Sequence, residues 1–366
     1  MRAQIRRVRV NIMSIFEAPE YDGHEQVQFF SDQASGLKAI IAIHNTALGP
    51  ALGGCRMWPY DSETAAIRDV LRLSRGMTYK AAVLDCGLGG GKSVIIGDSH
   101  REKTPELLHA MGRAIASFGG RYIVGEDIGT NPDDMREIRS VTRCVSCLRE
   151  EDGGYGDPAP MTALGVFSAI RAGVEEAFGS DALDGVHVAV QGVGNVGFNL
   201  CKQLHEAGAE LTICDIYPEQ IERVREAMDV VVVEPDKIYD VPAEVFAPCA
   251  MGGIINDKTI DRLKVRVVAG AANNQLDDER HGAWLADRDI VYMPDYVANG
   301  GGLISCAAEW KGGDAAVVPD QVRGIYDTCR MILEIANEQE ITSSEAADEL
   351  AESRFKRDRE RVAARA

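Results

Sequence analysis

Lys80 and Lys92 stand twelve positions apart, the first closing Gly76-Met77-Thr78-Tyr79-Lys80 and the second following Gly89-Gly90-Gly91. Three successive glycines remove every Cβ beside the second ammonium group, so a small ligand can reach it. Further on, Asp127 sits in Gly125-Glu126-Asp127-Ile128-Gly129-Thr130, a carboxylate flanked by glycines just past an apolar run. Such a place at a strand end is a common location for functional groups in α/β sheets, although loop capping alone also explains an aspartate there.

A second constellation lies in Gln191-Gly192-Val193-Gly194-Asn195-Val196-Gly197, between an apolar strand and a helix that runs to about Gly208. The next strand, Leu211-Thr212-Ile213-Cys214, ends at Asp215, 21 residues after Gly194. Glycines in this pattern let a pyrophosphate approach the helix N-terminus, where N–H groups and the dipole favour negative charge, and the acid binds the ribose hydroxyls. Asp215 would repel a 2′-phosphate, which favours NAD over NADP.

Gly91-Lys92-Ser93 also looks like the tail of a phosphate-cradling P-loop, G-x-x-x-x-G-K-[ST]. The first glycine of that pattern falls at position 86, which is Cys86, and Gly87 is one residue out of register. A glycine turn with a solvated lysine is the plainer alternative.

Two lysines, an aspartate and an NAD site suit oxidation at a carbon bearing an amine and a carboxylate. One lysine can hold the carboxylate as an ion pair. The other acts as base if burial and a neighbouring cation disfavour its ammonium form. Once hydride has left, water activated by that lysine attacks the iminium carbon, and Asp127 can shuttle protons to the departing ammonia.

Among the elements that carry these residues, Lys38–His44 reads as a buried strand followed by a glycine-containing loop, Leu48 to Gly54. Ala66, Ile67, Val70, Leu71 and Met77 follow helical spacing behind Asp61 or Ser62 as N-cap, and this helix delivers Lys80 at its end. Val94–Ile96 and Arg121–Val124 read as strands, and Pro105 and Pro132 open helices. Residues 149–161, rich in Gly, Pro and charge, read as an interdomain linker. From a helix at about Thr162 to Phe178 onward, short apolar units alternate with helices as a doubly wound sheet requires. Two strand ends, Ala271–Gln275 and Asn299-Gly300-Gly301-Gly302, carry asparagines able to bind a nicotinamide or substrate.

At 366 residues the chain exceeds one ordinary core, so two domains are expected: an N-terminal α/β substrate domain (13–148) and a Rossmann dinucleotide-binding domain (162–325). The helices of 326–366 are expected to pack back on the first domain. A formal charge of -18 argues against nucleic-acid or anionic-membrane partners. Nine cysteines, an odd number, suggest reduced thiols in a cytoplasmic protein. The lone Cys144-Val145-Ser146-Cys147 reads as structural, and no metal site is expected. No apolar run approaches the roughly 18 residues that span a bilayer. Arg2, Arg6, Arg7 and Arg9 precede any acid, a weak transit-peptide likeness that reads rather as a solvated basic tail or a misplaced start codon.

Gly49–Trp58, Gly76–Lys80, Gly89–Lys92, Gly125–Thr130, Gly192–Gly197, Pro248–Asn256, Ala272–Leu276 and Pro294–Gly302 together resemble the glutamate/leucine/phenylalanine/valine dehydrogenase family. The likeness spans roughly residues 13 to 355 and is strongest to the leucine and phenylalanine enzymes. It implies an NAD-dependent, homo-oligomeric enzyme that deaminates an apolar L-amino acid, with Lys80 binding the substrate carboxylate, Lys92 as base and Asp127 as proton carrier. It also implies that Gly53 or Gly54 assists the carboxylate and that Asn299 contacts both substrate and cofactor. Leu52, Gly125, Leu303 and Cys306 are implied at the substrate, and Thr162, Cys249, Ala250, Ala272 and Asn273 at the cofactor. Gly300 departs from the family's usual alanine, which puts the pocket's shape in question. Gly125, Leu303 and the run Pro248–Asp257 match the phenylalanine enzymes better, with leucine or valine as the alternative substrate. An NAD-binding sensor without catalysis is the alternative of another class, and the joint presence of Lys80, Lys92, Asp127 and Asn299 stands against it.

Overall fold

The computed structural model describes residues 14–363; the N-terminal arginines, Arg2 to Arg9, lie outside the described residues. The chain divides into two units that are discontinuous in sequence. The first holds the residues up to Thr46 together with Ala51–Thr78 and Gly90–Cys144, and the second holds Ala47–Pro50, Tyr79–Gly89 and everything from Val145.

In the first unit the chain runs β1 (Gln26–Asp32), β2 (Leu37–Asn45), β3 (Ala51–Trp58), α1 (Glu63–Val83, its last residues counted with the second unit), β4 (Gly89–Ile96), α2 (Pro105–Ala116), β5 (Tyr122–Glu126) and α3 (Pro132–Arg139). The sheet order is β1-β2-β4-β3-β5, with β1–β2 and β2–β4 antiparallel and β3–β5 parallel. Every residue of β2 but Lys38 is buried, as a near-continuous apolar run demands. Ala66, Ile67, Val70 and Leu71 of α1 pack on Ile40, Ala42 and Val94 of the sheet. Side-chain caps fix where helices begin: Ser62 Oγ accepts from Ala65 N–H at 3.1 Å, Thr104 Oγ1 from Leu107 N–H at 3.2 Å, and Asn131 with Asp134 forms a capping box.

Both glycine clusters lie in strands rather than in the loop and turn their composition suggests. Gly53–Gly54 belongs to β3 and Gly89–Gly91 to β4. Close packing is the cause. A Cβ on Gly53 would lie 1.7 Å from the Gly91 carbonyl oxygen, and one on Gly90 would lie 2.0 Å from the Thr78 nitrogen.

The second unit contains α4 (Ala159–Phe178), β6 (His187–Gln191), α5 (Asn195–Glu206), β7 (Glu210–Cys214), α6 (Pro218–Arg225), β8 (Val231–Val232), β9 (Val245–Pro248), β10 (Val267–Val268), α7 (Arg280–Ala286), β11 (Val291–Tyr292), α8 (Asp295–Ala298), α9 (Gly301–Trp310), α10 (Val318–Arg323), α11 (Ile325–Gln339) and α12 (Ser343–Ala363). Its sheet is parallel throughout, in the order β11-β10-β9-β6-β7-β8. Counted from β6 this is the 3-2-1-4-5-6 order of a doubly wound dinucleotide-binding sheet, with the order reversing beside β6.

Residues 149–158 are packed chain, not a free linker. Tyr155 N–H donates to Glu309 at 3.1 Å and its hydroxyl to the Gly313 carbonyl at 2.6 Å. Gly301 and Gly302 form the first turn of α9 instead of a strand end, since a Cβ on Gly301 would lie 1.9 Å from the Met161 carbonyl oxygen and one on Gly302 2.8 Å from Thr162 Oγ1. Of the C-terminal helices, α11 packs on α4. From α12, Arg354 donates to the Ala82 and Val83 carbonyls at 2.9 and 2.7 Å, satisfying orphan acceptors at the end of α1.

Candidate active site

In the first unit, strand alternation puts Gly54 and Arg56 of β3 on one face, and register pairs Gly54 with Gly125 of β5. Asp127 follows directly after β5. Its N–H donates to Thr130 Oγ1 at 3.0 Å, and that hydroxyl donates to the Cys55 carbonyl at 2.8 Å. Gly129 completes the turn at φ +83°, where a Cβ would lie 2.0 Å from the Met57 carbonyl oxygen.

Asp127 Oδ2 lies 2.5 Å from Lys92 Nζ and accepts from Arg56 Nε at 3.2 Å. Arg56 reaches on to Asp69 Oδ2 at 2.9 Å, which also accepts from the Tyr60 hydroxyl at 2.7 Å. Lys92 is only 6% exposed. Burial by itself would raise the Asp127 carboxyl, but the Lys92 and Arg56 charges outweigh it and hold the group below its ordinary value. Gly54 makes this arrangement possible, because a Cβ there would sit 2.7 Å from Asp127 Cβ and 3.2 Å from Lys92 Nζ. Arg56 and Asp69 escaped the reading of the sequence. The signal that finds Arg56 is its position two residues past Gly54 in a strand.

In the second unit, Lys80 Nζ donates to Asn299 Oδ1 at 2.5 Å and to the Asn299 carbonyl at 3.3 Å. Asn299 Nδ2 donates to Asn273 Oδ1 at 2.7 Å and to the Ala271 carbonyl at 3.1 Å. Burial raises the Asp295 carboxyl, which accepts from Gln275 N–H at 2.9 Å. Gly300 leaves room for Leu84: a Cβ there would lie 2.3 Å from Leu84 Cδ1. A leucine therefore fills the volume an alanine methyl would take. Leu303 is buried on α9, as Leu52 is on β3, and the Cys306 carbonyl on α9 accepts from Ser146 Oγ at 2.8 Å.

The three glycines of the dinucleotide pattern have different physical reasons. Gly192 turns at φ +88° with Ala250 2.7 Å from where its Cβ would be, and Gly197 lies 2.1 Å by the same measure from the Gly192 carbonyl oxygen. Gly194 faces open space within 4 Å, at the start of α5, whose first N–H groups have no intrahelical partner. An open cradle at a helix N-terminus fits a pyrophosphate. Asp215 Oδ2 accepts from Val193 N–H at 2.8 Å and Oδ1 from Tyr217 N–H at 2.9 Å, which leaves lone pairs for ribose hydroxyls. Nearby, Cys249 N–H donates to the Gln191 carbonyl at 2.7 Å, and Ala272 N–H donates to the Pro248 carbonyl at 2.9 Å. Thr162 lies in the first turn of α4, which starts at Ala159 rather than at Thr162, its hydroxyl donating to the Pro158 carbonyl at 3.0 Å. Gly194→Ala is expected to fold with unchanged thermal stability but to weaken NAD binding at least tenfold by fluorescence titration. Gly197→Ala should lower the melting temperature instead.

No helix among the described residues is long and apolar enough to cross a membrane. The family model "Glu/Leu/Phe/Val dehydrogenase, dimerisation domain" matches residues 24–143, and "Glutamate/Leucine/Phenylalanine/Valine dehydrogenase" matches 153–218 and 212–323. A leucine dehydrogenase from Thermoactinomyces intermedius is 51% identical over 343 residues, 94% of each chain. A phenylalanine dehydrogenase from Caldalkalibacillus thermarum is 47% identical over 350 residues, 94% of this chain and 95% of the relative. The crystal structure of L-tryptophan dehydrogenase from Nostoc punctiforme superposes with TM-score 0.83 at 48% identity, covering 92% of this chain and 97% of that one.

Proposed function

The chain belongs to the glutamate/leucine/phenylalanine/valine dehydrogenase family of amino-acid dehydrogenases, and from that premise we propose that it catalyses the reversible NAD-dependent oxidative deamination of an apolar L-amino acid. The observation that carries this reading is the buried Lys92–Asp127 pair, 2.5 Å apart and backed by Arg56. Lys80 holds the substrate carboxylate, and Asn299, whose Oδ1 accepts from Lys80 Nζ at 2.5 Å, orients that lysine while contacting substrate and cofactor.

NAD, when bound by Gly192–Gly197 and Asp215, supplies the hydride acceptor. Lys92 in its amine form takes a proton from the water that attacks the iminium carbon. The proton passes to Asp127 and from there to the departing ammonia. Arg56 balances the carboxylate between these transfers.

For the side chain we propose phenylalanine, supported by Gly125 and Leu303. Leucine or valine is the second reading, favoured by the leucine dehydrogenase relative. Because one methylene changes discrimination by only about 1–3 kcal/mol, the test is kcat/KM for Phe, Leu, Val, Trp and Glu, followed by NADH absorbance at alkaline pH. A preference for leucine or valine overturns phenylalanine. No NADH from any of them overturns the activity and favours a silent sensor.

Lys80→Ala should raise KM for the amino acid by about 10- to 100-fold, the loss of one charged contact. An unchanged KM would remove the anchor role. The matched dimerisation-domain model supports a homo-oligomer, and light scattering giving a single-chain mass would refute it.

A further inference from the structure

Residue His44 of β2 has no register partner in β4, while its carbonyl accepts from Glu25 N–H at 3.3 Å on the other side. Ile43 pairs with Gly91 and Asn45 with Gly90, so His44 is the extra residue of a β-bulge opposite the glycines that lead into Lys92. A bulge re-aims the side chain it carries. This imidazole is 4% exposed, and it turns toward α1 with Nδ1 2.8 Å from Thr78 Oγ1 and Nε2 3.0 Å from the Asp22 carbonyl oxygen. A carbonyl only accepts, so Nε2 carries the proton and Nδ1 accepts from the Thr78 hydroxyl.

Thr78 is also pressed against β4. A Cβ on Gly90 would lie 2.0 Å from its nitrogen and 2.3 Å from its Oγ1. Gly90 and Lys92, two apart in a strand, face the same side of the sheet, so α1 lies over the face from which the Lys92 side chain rises. One turn back along α1, His24 Nε2 lies 3.0 Å from both Ser74 Oγ and the Leu71 carbonyl oxygen, with its ring edge-on to His44 at 4.8 Å. Burial drives the His44 imidazole down to about 4, so it stays neutral at working pH.

None of these groups enters the proton transfers above. We propose that His44 and Thr78 are positioning residues for the reaction, their hydrogen bond fixing α1 against Gly90 and so setting the place of the Lys92 ammonium group opposite Asp127. The inference rests on Lys92 as the base.

Thr78→Val keeps the shape and deletes the hydroxyl, whereas Thr78→Ser keeps the hydroxyl. At a temperature where circular dichroism is native, Thr78→Val is expected to lose about tenfold or more in kcat, with KM for NAD unchanged and Thr78→Ser within about threefold of wild type. His44→Asn, the second arm should Thr78→Val not fold, is expected to lose kcat in the same way. The double variant should lose no more than the worse single one, because both delete one shared bond. A wild-type kcat for both Thr78→Val and His44→Asn, an equal loss in Thr78→Ser, or additive losses would overturn the positioning role while leaving the deamination intact. A wild-type protein that turns over no amino acid would instead overturn the deamination reading, and this inference with it.

Discussion

Lys92→Ala is expected to lower kcat by about 10²–10⁴-fold, the usual contribution of a positioned base, while NAD binding measured by fluorescence titration stays as in the wild type. The groups proposed to hold the cofactor, Gly192 to Gly197 and Asp215, lie in the second unit and Lys92 in the first. Stability should change little. Removing a buried ammonium group strands its partner only if nothing else compensates, and Asp127 retains Arg56 at 3.2 Å. Loss of NAD binding in this variant would contradict the assignment, as would turnover near the wild-type rate.

Asp127→Asn should be costly in two measurements at once. With the carboxylate gone, the Lys92 ammonium loses its partner at 2.5 Å while only 6% exposed. Breaking a buried pair from one side costs about 3–5 kcal/mol, and a carboxamide on the same site recovers part of that by hydrogen bonding. Arg56 loses less, since Asp69 remains 2.9 Å away. The proton delivery to ammonia proposed for Asp127 goes as well, so kcat should fall by about 10²-fold or more. Chemical denaturation and steady-state kinetics on one preparation check both effects.

The acid side of the stability profile carries the same signature. The folded Asp127 carboxyl is held below its ordinary 3.8, so its contribution is complete above that value and is lost as pH falls through the lower, folded value. Asp127→Asn should flatten this part of the profile, and a profile identical to wild type would show that the pair contributes nothing to the fold.

Much of the architecture was legible because its signals are local. Thr104-Pro105 and Asn131-Pro132 place helix starts by capping chemistry that needs no tertiary contact. The strand–glycine–helix pattern with Asp215 following declares a dinucleotide fold because turn, helix dipole and acid are all set within one short stretch.

The glycine clusters were misplaced for the opposite reason. Gly53, Gly90 and Gly301 are glycine because the Gly91 carbonyl, the Thr78 backbone and the Met161 carbonyl come within 2.0 Å of where their Cβ atoms would be, and those partners are distant in the chain. Local composition reads such residues as turns. Only packing shows that they sit inside a strand or a helix.

Lys80, Lys92 and Asp127 were therefore singled out by the sequence alone, through residue type, motif and spacing. Their partners were decided by the tertiary structure. Asp127 meets Lys92 and Arg56 because β4, β3 and the end of β5 lie side by side, and Lys80 meets Asn299 across 219 positions of chain. An ion pair's strength depends on separation and burial, neither of which is written in sequence distance. The same holds for Arg56, an ordinary charged strand residue in the sequence that becomes the counter-charge of Asp127 once a parallel register sets Gly54 beside Gly125.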